Sequence, residues 1–490
     1  MKKSIVLLAL CSIILGGCNS KKEKMETKEE VMITKESREA PDFSKGILTE
    51  EILWYMGRLS GVQVAPDGKT LLFGIKYYDY KLNKGNQELY TMPVAGGEPT
   101  RITQTVQDEF DAIWRPDGQK IAFLRNGDDG VQIWECDPDG KNQKQISKVE
   151  NGVNGFCYAP DMKHILYLSN VQLDEKITDR YPDLEQANAM IYDDLMYRHW
   201  DAWADGTYQH IFIAAYPALD EVVELMEGEK FHAPVPPGGG ISEIAWSPNG
   251  EKIAYCAKKM KGREFAESTN SDVYIYDIAA KTTINLTEAN KGYDMEPVFS
   301  PDGTKLVWWS MEKEGFESDK KRLFVHDFNT GISKDYTTAF DQNVSDFVWH
   351  ADGDKIYFIS CIHATHQIYE LNLNSAEIRQ ITQGEHDINT MALAGNQLIV
   401  TKTTHALPSE AFSINPENGT EQQITFVNGD ILDKITMGKT EKRWIKTTDG
   451  KEMLTWVIYP PNFDANKKYP TLLYCQGGPQ QAVSQFFSYR

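Results

Sequence analysis

The chain has 490 residues, with 71 acidic and 51 basic side chains and a formal net charge of −20. A single hydrophobic core stops growing at roughly 250–300 residues, so more than one domain is expected. Phosphate binding needs a net basic face, so the acidic balance also excludes nucleic acid as the main partner.

The N-terminus has the features of an export signal. Lys2 and Lys3 precede an apolar run over residues 5–15, which is shorter than the ~20 residues that a membrane span needs. The run ends in Leu-Gly-Gly-Cys18, which resembles the lipobox of bacterial lipoproteins, where the signal is removed before a lipidated Cys. We predict a lipoprotein signal peptide over residues 1–17 and lipidation of Cys18. The alternative is a buried Cys in an uncleaved helix.

Residues 18–45 are predicted to form a charged tether. Of residues 19–40, twelve are charged, six of each sign, so no apolar periodicity can form there. Asn19 stands where an Asp would favour retention in the inner membrane, in the lipoproteins that this segment resembles. We therefore expect an exported lipoprotein of the outer membrane, facing the periplasm or the cell surface.

A turn of the type Pro-Asp-Gly recurs along residues 46–436. Pro sets φ for such a turn and Gly takes the position of positive φ, so each copy joins two antiparallel strands. Further along each unit a strand ends near Ile-Thr, and most units lie about 43–53 residues apart. Four short strands at that period predict a seven-bladed β-propeller. The turns begin at Pro66, Pro116, Pro160, Pro248, Pro301 and Ala351, with a degenerate copy near Gly395.

Two segments of this region depart from the repeat. Residues 49–59 are predicted to form a short helix before the ring, with Ile52, Met56 and Leu59 along one stripe. The interval after Pro160 is too long and indicates an insertion near residues 170–240, the kind of place where a binding function is grafted. Its apolar spacing over residues 182–203 predicts a helix.

The segment 437–490 no longer has the pattern of a blade. A hairpin with a turn at Thr448-Asp449-Gly450 is followed by a near-continuously apolar stretch, residues 469–475, which predicts a buried strand. Gln476-Gly477-Gly478-Pro479 comes next. Such a strand needs sheet neighbours and covering helices. We therefore expect residues 437–490 to begin a further domain that is incomplete within these 490 residues.

Together these motifs resemble the prolyl oligopeptidase family of serine peptidases, and most closely its bacterial dipeptidyl-peptidase 5 and acylaminoacyl-peptidase branch. The specific parts are the stretch from Tyr192 to Asp201 and Tyr-Pro-x-Leu-Leu-Tyr-x-x-Gly-Gly-Pro at residues 469–479. The resemblance implies a serine exopeptidase, with residues 437–490 as the start of an α/β-hydrolase domain that holds the nucleophilic Ser, Asp and His. The 490 residues contain no G-x-S-x-G elbow and no histidine after His405, so we predict that the chain alone is inactive.

The resemblance also implies candidate site residues. Gln476, Gly477 and Gly478 correspond to the loop beside the oxyanion hole, although many relatives have His or Tyr where this chain has Gln476. Asp193 and Asp194 correspond by type to a carboxylate pair that binds the free amine of the substrate, since two anions suit an ammonium group.

Arg198 is a candidate for holding a substrate carbonyl. The alternatives are a plain post-strand turn for the glycines and a solvated charge pair for the aspartates.

No metal or cofactor is expected. Cys361, His363 and His366 are too few and too loosely spaced for a zinc site. The predicted partners are an oligopeptide substrate and a membrane, reached through the lipid anchor, with a homodimer left open for the full-length enzyme. A second hypothesis from another class is a non-enzymatic, TolB-like propeller lipoprotein that binds a protein partner.

Overall fold

The computed structural model describes residues 31–475 and 481–490. The predicted signal, Cys18 and the glycine motif at residues 476–479 lie outside the described residues. Within the described part, residues 32–490 form one compact unit.

The unit is a ring of seven four-stranded antiparallel blades, of which the last two are joined into one sheet by a parallel bridge, so the predicted mainly-β, seven-bladed propeller is confirmed. The strands of blades one to three are β1 (Arg58–Val64), β2 (Thr70–Asp79), β3 (Lys84–Pro93), β4 (Thr100–Arg101), β5 (Glu109–Trp114), β6 (Ile121–Gly127), β7 (Gly130–Cys136), β8 (Lys144–Gln145), β9 (Gly155–Tyr158), β10 (His164–Gln172), β13 (Thr207–Ala215) and β14 (Asp220–Glu224). An insertion in blade three carries β11 (Arg198–His199) and β12 (Ala202–Trp203).

Blades four to seven follow without exchange of strands. They consist of β15 (Ile244–Trp246), β16 (Lys252–Ala257), β17 (Asp272–Asp277), β18 (Thr282–Asn285), β19 (Asp294–Phe299), β20 (Lys305–Ser310), β21 (Arg322–Asp327), β22 (Ile332–Asp335), β23 (Ser345–Trp349), β24 (Lys355–Ile362), β25 (Thr365–Asn372), β26 (Ile378–Gln380), β27 (Asp387–Ala394), β28 (Gln397–Thr404), β29 (Leu407–Ile414) and β30 (Glu421–Gln423). A hairpin of β31 (Thr440–Lys446) and β32 (Glu452–Ile458) comes after the ring.

Helices are few and short in the described residues. They are α1 (Glu50–Tyr55), α2 (Ile177–Arg180), α3 (Gly262–Glu267), α4 (Gly429–Leu432) and a 3-10 turn at Ile241–Glu243. None of these helices has the length and apolar character that a membrane crossing requires. The predicted helix before the ring is present but shorter than expected: Ile52 and Met56 are buried, whereas Leu59 already lies in β1.

The recurring turns join the first strand of a blade to the second, as predicted. In the blade-one copy the N–H of Gly68 donates to the carbonyl of Ala65 at 2.8 Å, and Asp67 accepts from the N–H of Lys69 at 2.9 Å. Gly68 has a φ of +72°. The blade-three copy has Met162 at the same position with a φ of +62°. This backbone conformation is strained for a residue that carries a side chain.

The Ile-Thr motif has a structural role that the sequence did not reveal. In blade one, the hydroxyl of Thr103 accepts the N–H of Leu89 at 2.8 Å, fourteen residues earlier on the third strand. Blades two, four, five, six and seven repeat this bond with the same spacing, through Ser147, Thr287, Thr337, Thr382 and Thr425. Each hydroxyl thus fastens the end of the outer strand to the strand beside it.

Seven hydrophobic clusters hold the ring together, one between each pair of neighbouring blades in the described residues. The cluster between blade seven and blade one contains Ile399 and Ala411 on one side and Phe73 on the other. Because both blades are built from consecutive strands, packing rather than strand exchange closes the ring. One polar clasp adds to it: Asn428 accepts from the N–H of Gly57 and donates to its carbonyl, both at 2.8 Å.

Three expectations are wrong. The second half of the predicted tether packs onto blade one, where Ile33 and Arg38 are buried. Residues 182–203 do not form a helix, because no other part of the structure covers the apolar side chains of the predicted stripe. Leu184, Met190 and Ile191 are each about half exposed. Residues 469–475 do not form a strand, because no neighbouring strand pairs with them in the described chain.

Candidate functional site

One face of the ring gathers the irregular segments. In a blade of four antiparallel strands, every connection from the second strand to the third leaves the same end. The insertion between β10 and β13 is such a connection, and so are the turns that hold His363 in blade six and His405 in blade seven. The rings of these two histidines lie 5.3 Å from Trp444 and 6.1 Å from Trp456 of the hairpin. The insertion and the post-ring hairpin therefore share a face.

The insertion, residues 173–206, is fastened at its base. The N–H groups of Leu173 and Asp174 both donate to the carbonyl of Gly206 at 3.1 Å. The side chain of Asp174 also accepts from Tyr208 at 2.9 Å and from Lys230 at 2.5 Å. These bonds tie the insertion to blade three.

An aromatic cluster stabilises the tip of the insertion. The rings of Tyr192, Tyr197 and Trp203 lie with centroids 5.6–6.1 Å apart. The hydroxyl of Tyr192 donates to the carbonyl of Ala204 at 2.7 Å. The guanidinium of Arg198 lies 5.5 Å from the centroid of Trp203. The cluster gives an exposed loop a small core of its own, and its members flank the candidate carboxylates.

Asp193 and Asp194 are both exposed, at adjacent positions beside this cluster. A carboxylate oxygen of Asp194 accepts the N–H of Leu195 at 2.8 Å. The same side chain lies against the backbone of Gly262 in blade four, where a Cβ would come within 2.6 Å of its Oδ2. Gly262 therefore makes room for Asp194, and sequence reasoning missed it because the two residues meet only through the ring.

The insertion is strongly acidic. Residues 173–206 hold nine Asp or Glu and three Lys or Arg, a formal charge of −6. Asp194 and Asp193 thus stand in a field that attracts cations and repels carboxylates. Arg198 is the cation nearest to this pair in sequence, and it is exposed as well.

Acidic groups also occupy the innermost strands. Asp111, Glu296 and Asp346 lie at β-bulges of the first strands of their blades, with φ of +48°, +57° and +39°. Burial raises the pKa of Asp111 and Glu296. Burial and the neighbouring Glu296 raise the pKa of Asp346 to about 7. The inner strands therefore carry three carboxyl groups of raised pKa, of which Asp346 titrates close to neutral pH.

The final described segment docks across the seam between blades seven and one. Phe487 is 9% exposed and packs with Ile52, Met56 and Ile431. Its N–H donates to the hydroxyl of Thr403 at 3.2 Å. Residues 484–490 therefore contact α1, α4 and blade seven together.

The preceding apolar stretch behaves differently. Leu472 is 96% exposed, Leu473 85% and Tyr474 70%. Trp444, Met453 and Ile458 of the hairpin are each about half exposed. This is a surface of the kind that a further layer of structure normally covers. The oxyanion candidates Gln476, Gly477 and Gly478 follow it, outside the described residues.

No group of three or more His, Cys, Asp or Glu side chains in residues 31–475 and 481–490 is arranged to hold a metal ion. Five cysteines are free in the same residues: Cys136, Cys157, Cys256, Cys361 and Cys475.

Comparison with known proteins identifies the relatives of this chain. A family model described as the TolB beta propeller domain, PD40, matches residues 241–434. Dipeptidyl-peptidase 5 of Porphyromonas gingivalis is 43% identical over 447 residues, which cover 90% of this chain and 65% of that protein. This chain is similar to dipeptidyl-peptidase 5 over most of its length. The resemblance seen in the motifs is thereby confirmed. Dipeptidyl-peptidase 5 of Aspergillus fumigatus is 24% identical over 470 residues, which cover 88% of this chain and 64% of that protein.

Solved structures agree on the fold. The acylaminoacyl peptidase of Pyrococcus horikoshii matches with a TM-score of 0.70 at 18% identity, over 90% of this chain and 63% of that one. The propeller domain of the trilobed protease of Pyrococcus furiosus, described as having an open velcro topology, matches with a TM-score of 0.51 at 16% identity, over 76% of this chain and 97% of that one. These likenesses concern the fold alone. The chain spans about two thirds of the length of the curated relatives it matches.

Proposed function

We propose that this chain is the propeller portion of a serine exopeptidase of the dipeptidyl-peptidase or acylaminoacyl-peptidase type, which hydrolyses peptide bonds near the N-terminus of oligopeptides. The observation that carries the proposal is that the acidic insertion of blade three shares a face of the ring with residues 437–490. A hydrolase domain built onto those residues would hold substrate between itself and the insertion. The propeller would then gate entry and exclude folded proteins.

In this proposal the carboxylates of Asp193 and Asp194 bind the free amine of the peptide. Two carboxylates at short range offset the desolvation of an ammonium group. Asp194 is the better placed of the two, since Leu195 and Gly262 fix its position. Arg198 supplies a donor for a carbonyl of the substrate.

The glycine motif supplies the oxyanion region. Backbone N–H groups next to glycines can approach the negative charge that develops on the scissile carbonyl. Gln476, Gly477 and Gly478 take this role in the proposal, with Gln476 able to donate through its side-chain amide. The exposed apolar residues 472–474 support a sheet that continues beyond the hairpin.

The 490-residue chain alone is predicted to be inactive, because its sequence contains no G-x-S-x-G and no histidine after His405. A serine-directed fluorophosphonate probe tests this directly. We expect no covalent labelling of the 490-residue chain, and labelling of a longer product whose downstream sequence holds the elbow. Labelling of the 490-residue chain would contradict the prediction of inactivity. A downstream sequence without an elbow would contradict the peptidase proposal itself.

The amine subsite is tested in the longer product with Asp194→Asn. For substrates with a free N-terminus we expect kcat/KM to fall by about 10- to 100-fold, the loss of a charged hydrogen bond worth about 1.5–3 kcal/mol. N-acylated substrates should be unaffected. Asp183→Asn, another exposed acid of the insertion, is the matched control. Equal losses of kcat/KM in both variants would show that Asp194 contributes only through the net charge of the insertion, and would contradict its role as an amine ligand.

For the location of the protein, we propose an exported lipoprotein anchored through Cys18 in the outer membrane. The support is the sequence alone: a basic start, a short apolar run and the lipobox-like ending. Labelled palmitate should be incorporated into the wild type and not into Cys18→Ser. Incorporation into the variant would place the lipid elsewhere and refute the assignment.

The second hypothesis, a TolB-like propeller that binds a protein partner, is favoured by one observation, the match of a TolB propeller model to residues 241–434. It predicts a stop codon directly after residue 490 and no hydrolase downstream. The downstream coding sequence therefore decides between the two.

A further inference from the structure

A cluster of reactive groups lies at the end of blade six that faces the post-ring hairpin. The strands β24 and β25 are joined by a tight turn in which His363 and Ala364 both have positive φ, +48° and +54°. The turn places Cys361 directly opposite His366 on the neighbouring strand. Directly opposed residues of an antiparallel pair point to the same side of the sheet, so the thiol and the imidazole are neighbours.

A carboxylate from blade seven completes the cluster. Oδ1 of Asp387 lies 3.0 Å from Nδ1 of His366 and also accepts the backbone N–H of His366 at 3.0 Å. The side chain of Asp387 is only 3% exposed, so its charge is held in place beside the imidazole. The single parallel bridge that joins blades six and seven is between these same two residues.

The cluster consists of a thiol, an imidazole and a carboxylate in a row. In such an arrangement the carboxylate orients the imidazole and favours its protonated form, and the imidazolium stabilises the thiolate. Burial disfavours the charged form of His366, but the hydrogen bonds with Asp387 and Cys361 outweigh it and raise its pKa to about 10. A cationic imidazole therefore stands beside the thiol at neutral pH. The other titratable groups around the cluster are Tyr369, His386 and His405.

The remaining cysteines are surrounded differently. Burial raises the pKa of Cys136 and Cys157 to about 12 and that of Cys256 as well, so these thiols are inert in the folded chain. Cys475 is exposed, and therefore more accessible than the half-buried Cys361. Accessibility alone predicts that Cys475 reacts first.

We propose that Cys361 is an activated thiol and a site of mixed-disulfide formation with small disulfides, with His366 as its proton partner and Asp387 as the group that positions His366. The Cys361 thiol first loses its proton to solvent, and the imidazolium of His366 stabilises the thiolate as it reacts. Sγ of Cys361 attacks one sulfur of the small disulfide, a new S–S bond forms and the old one breaks. The departing thiolate takes the proton from His366, so Cys361 is oxidised as the small disulfide is reduced.

The test is a competition within one molecule. The full 490-residue chain is treated at pH 6.5 with iodoacetamide and, in a second arm, with glutathione disulfide, and the adducts are mapped by mass spectrometry. We expect Cys361 to react roughly tenfold or more faster than Cys475 in both arms, because the thiolate is the reacting form. In His366→Gln and in Asp387→Asn this preference should be lost, while His363→Gln, in the adjacent turn, should keep it.

The unreactive thiols report on folding. Labelling of Cys136 or Cys256 in a variant would show that this variant has unfolded. The ratio of the Cys361 rate to the Cys475 rate is then taken from the other variant, in which Cys136 and Cys256 stay unlabelled. Reaction of Cys361 no faster than Cys475 in the wild type overturns the proposal. An unchanged preference in a folded His366→Gln variant overturns it equally.

Discussion

Replacing Asn428 by Ala tests how a propeller without strand exchange stays closed. Asn428 is fully buried, and its amide makes two hydrogen bonds with the backbone of Gly57, each 2.8 Å long. Gly57 precedes the first strand of the ring and Asn428 follows the last one. The Ala variant would leave the N–H and the carbonyl of Gly57 without their partner.

The size of the effect follows from those two groups. A buried polar group left without a hydrogen bond costs about 1–3 kcal/mol. The hydroxyl of Tyr489 lies 3.5 Å from the carbonyl of Gly57 and offers that group partial compensation. We therefore expect a loss of about 2–4 kcal/mol in the free energy of unfolding, a large part of the 5–15 kcal/mol typical of a protein.

Urea unfolding of the full chain measures the loss, and hydrogen exchange locates it. The amides of β1 and of β28–β29 should exchange faster in Asn428→Ala, while those of blade four should not. Asn374→Ala, in an exposed turn of blade six, is the control and should change stability by less than about 0.5 kcal/mol. A loss that small in Asn428→Ala would show that apolar packing alone closes the ring, and would refute the reasoning.

Three further predictions rest on single residues. Met162→Gly should stabilise the chain by about 0.5–1 kcal/mol in urea unfolding, because it removes a side chain from a positive-φ position, whereas Gly303→Ala at the matching turn should destabilise it. In the longer product, Gly262→Ala should lower kcat/KM for free-amine substrates as Asp194→Asn does and leave N-acylated substrates unaffected, since the new Cβ displaces Asp194. The pKa of His366 is raised from 6.5 to about 10, so its stabilising effect is complete below pH 6.5 and is lost as the pH rises towards 10. The difference in unfolding free energy between wild type and His366→Gln should shrink over that range, and a constant difference would contradict the assignment.

The propeller could be predicted because its signals are local. A Pro-Asp-Gly turn is encoded in four adjacent residues, and the hydroxyl that fastens the outer strand lies fourteen residues from its partner. Repeating such short-range signals seven times leaves few other ways to arrange the strands. The number of copies then gave the number of blades.

The predictions that failed depended on a partner surface. The apolar spacing of residues 182–203 fits a helix, but a stripe is stabilised only where it is covered, and Leu184 and Ile191 stay half exposed. The stretch 469–475 has the composition of a buried strand, but a strand exists only through hydrogen bonds to a neighbour. The composition of a segment does not show whether another part of the chain will cover it or pair with it.

The contacts that sequence reasoning missed join residues far apart in the chain. Asp194 meets Gly262 because blades three and four are neighbours, and Asp387 meets His366 because blades six and seven are. Neither pair forms a motif. Such pairs become visible only when the ring is built.

Closure of the ring and docking of residues 484–490 are linked through shared groups. Gly57 is held by Asn428 and contacted by Tyr489, and the guanidinium of Arg58 lies 4.3 Å from the Tyr489 ring. Asp387 of blade seven accepts a hydrogen bond from Ser484 while it holds His366. The contacts at Gly57 and Asp387 therefore lie on residues that join two blades, so the docked segment and the closed seam should stabilise each other. Combining Asn428→Ala with Tyr489→Phe should cost more stability than the sum of the single losses, because each group compensates for the other at the same carbonyl.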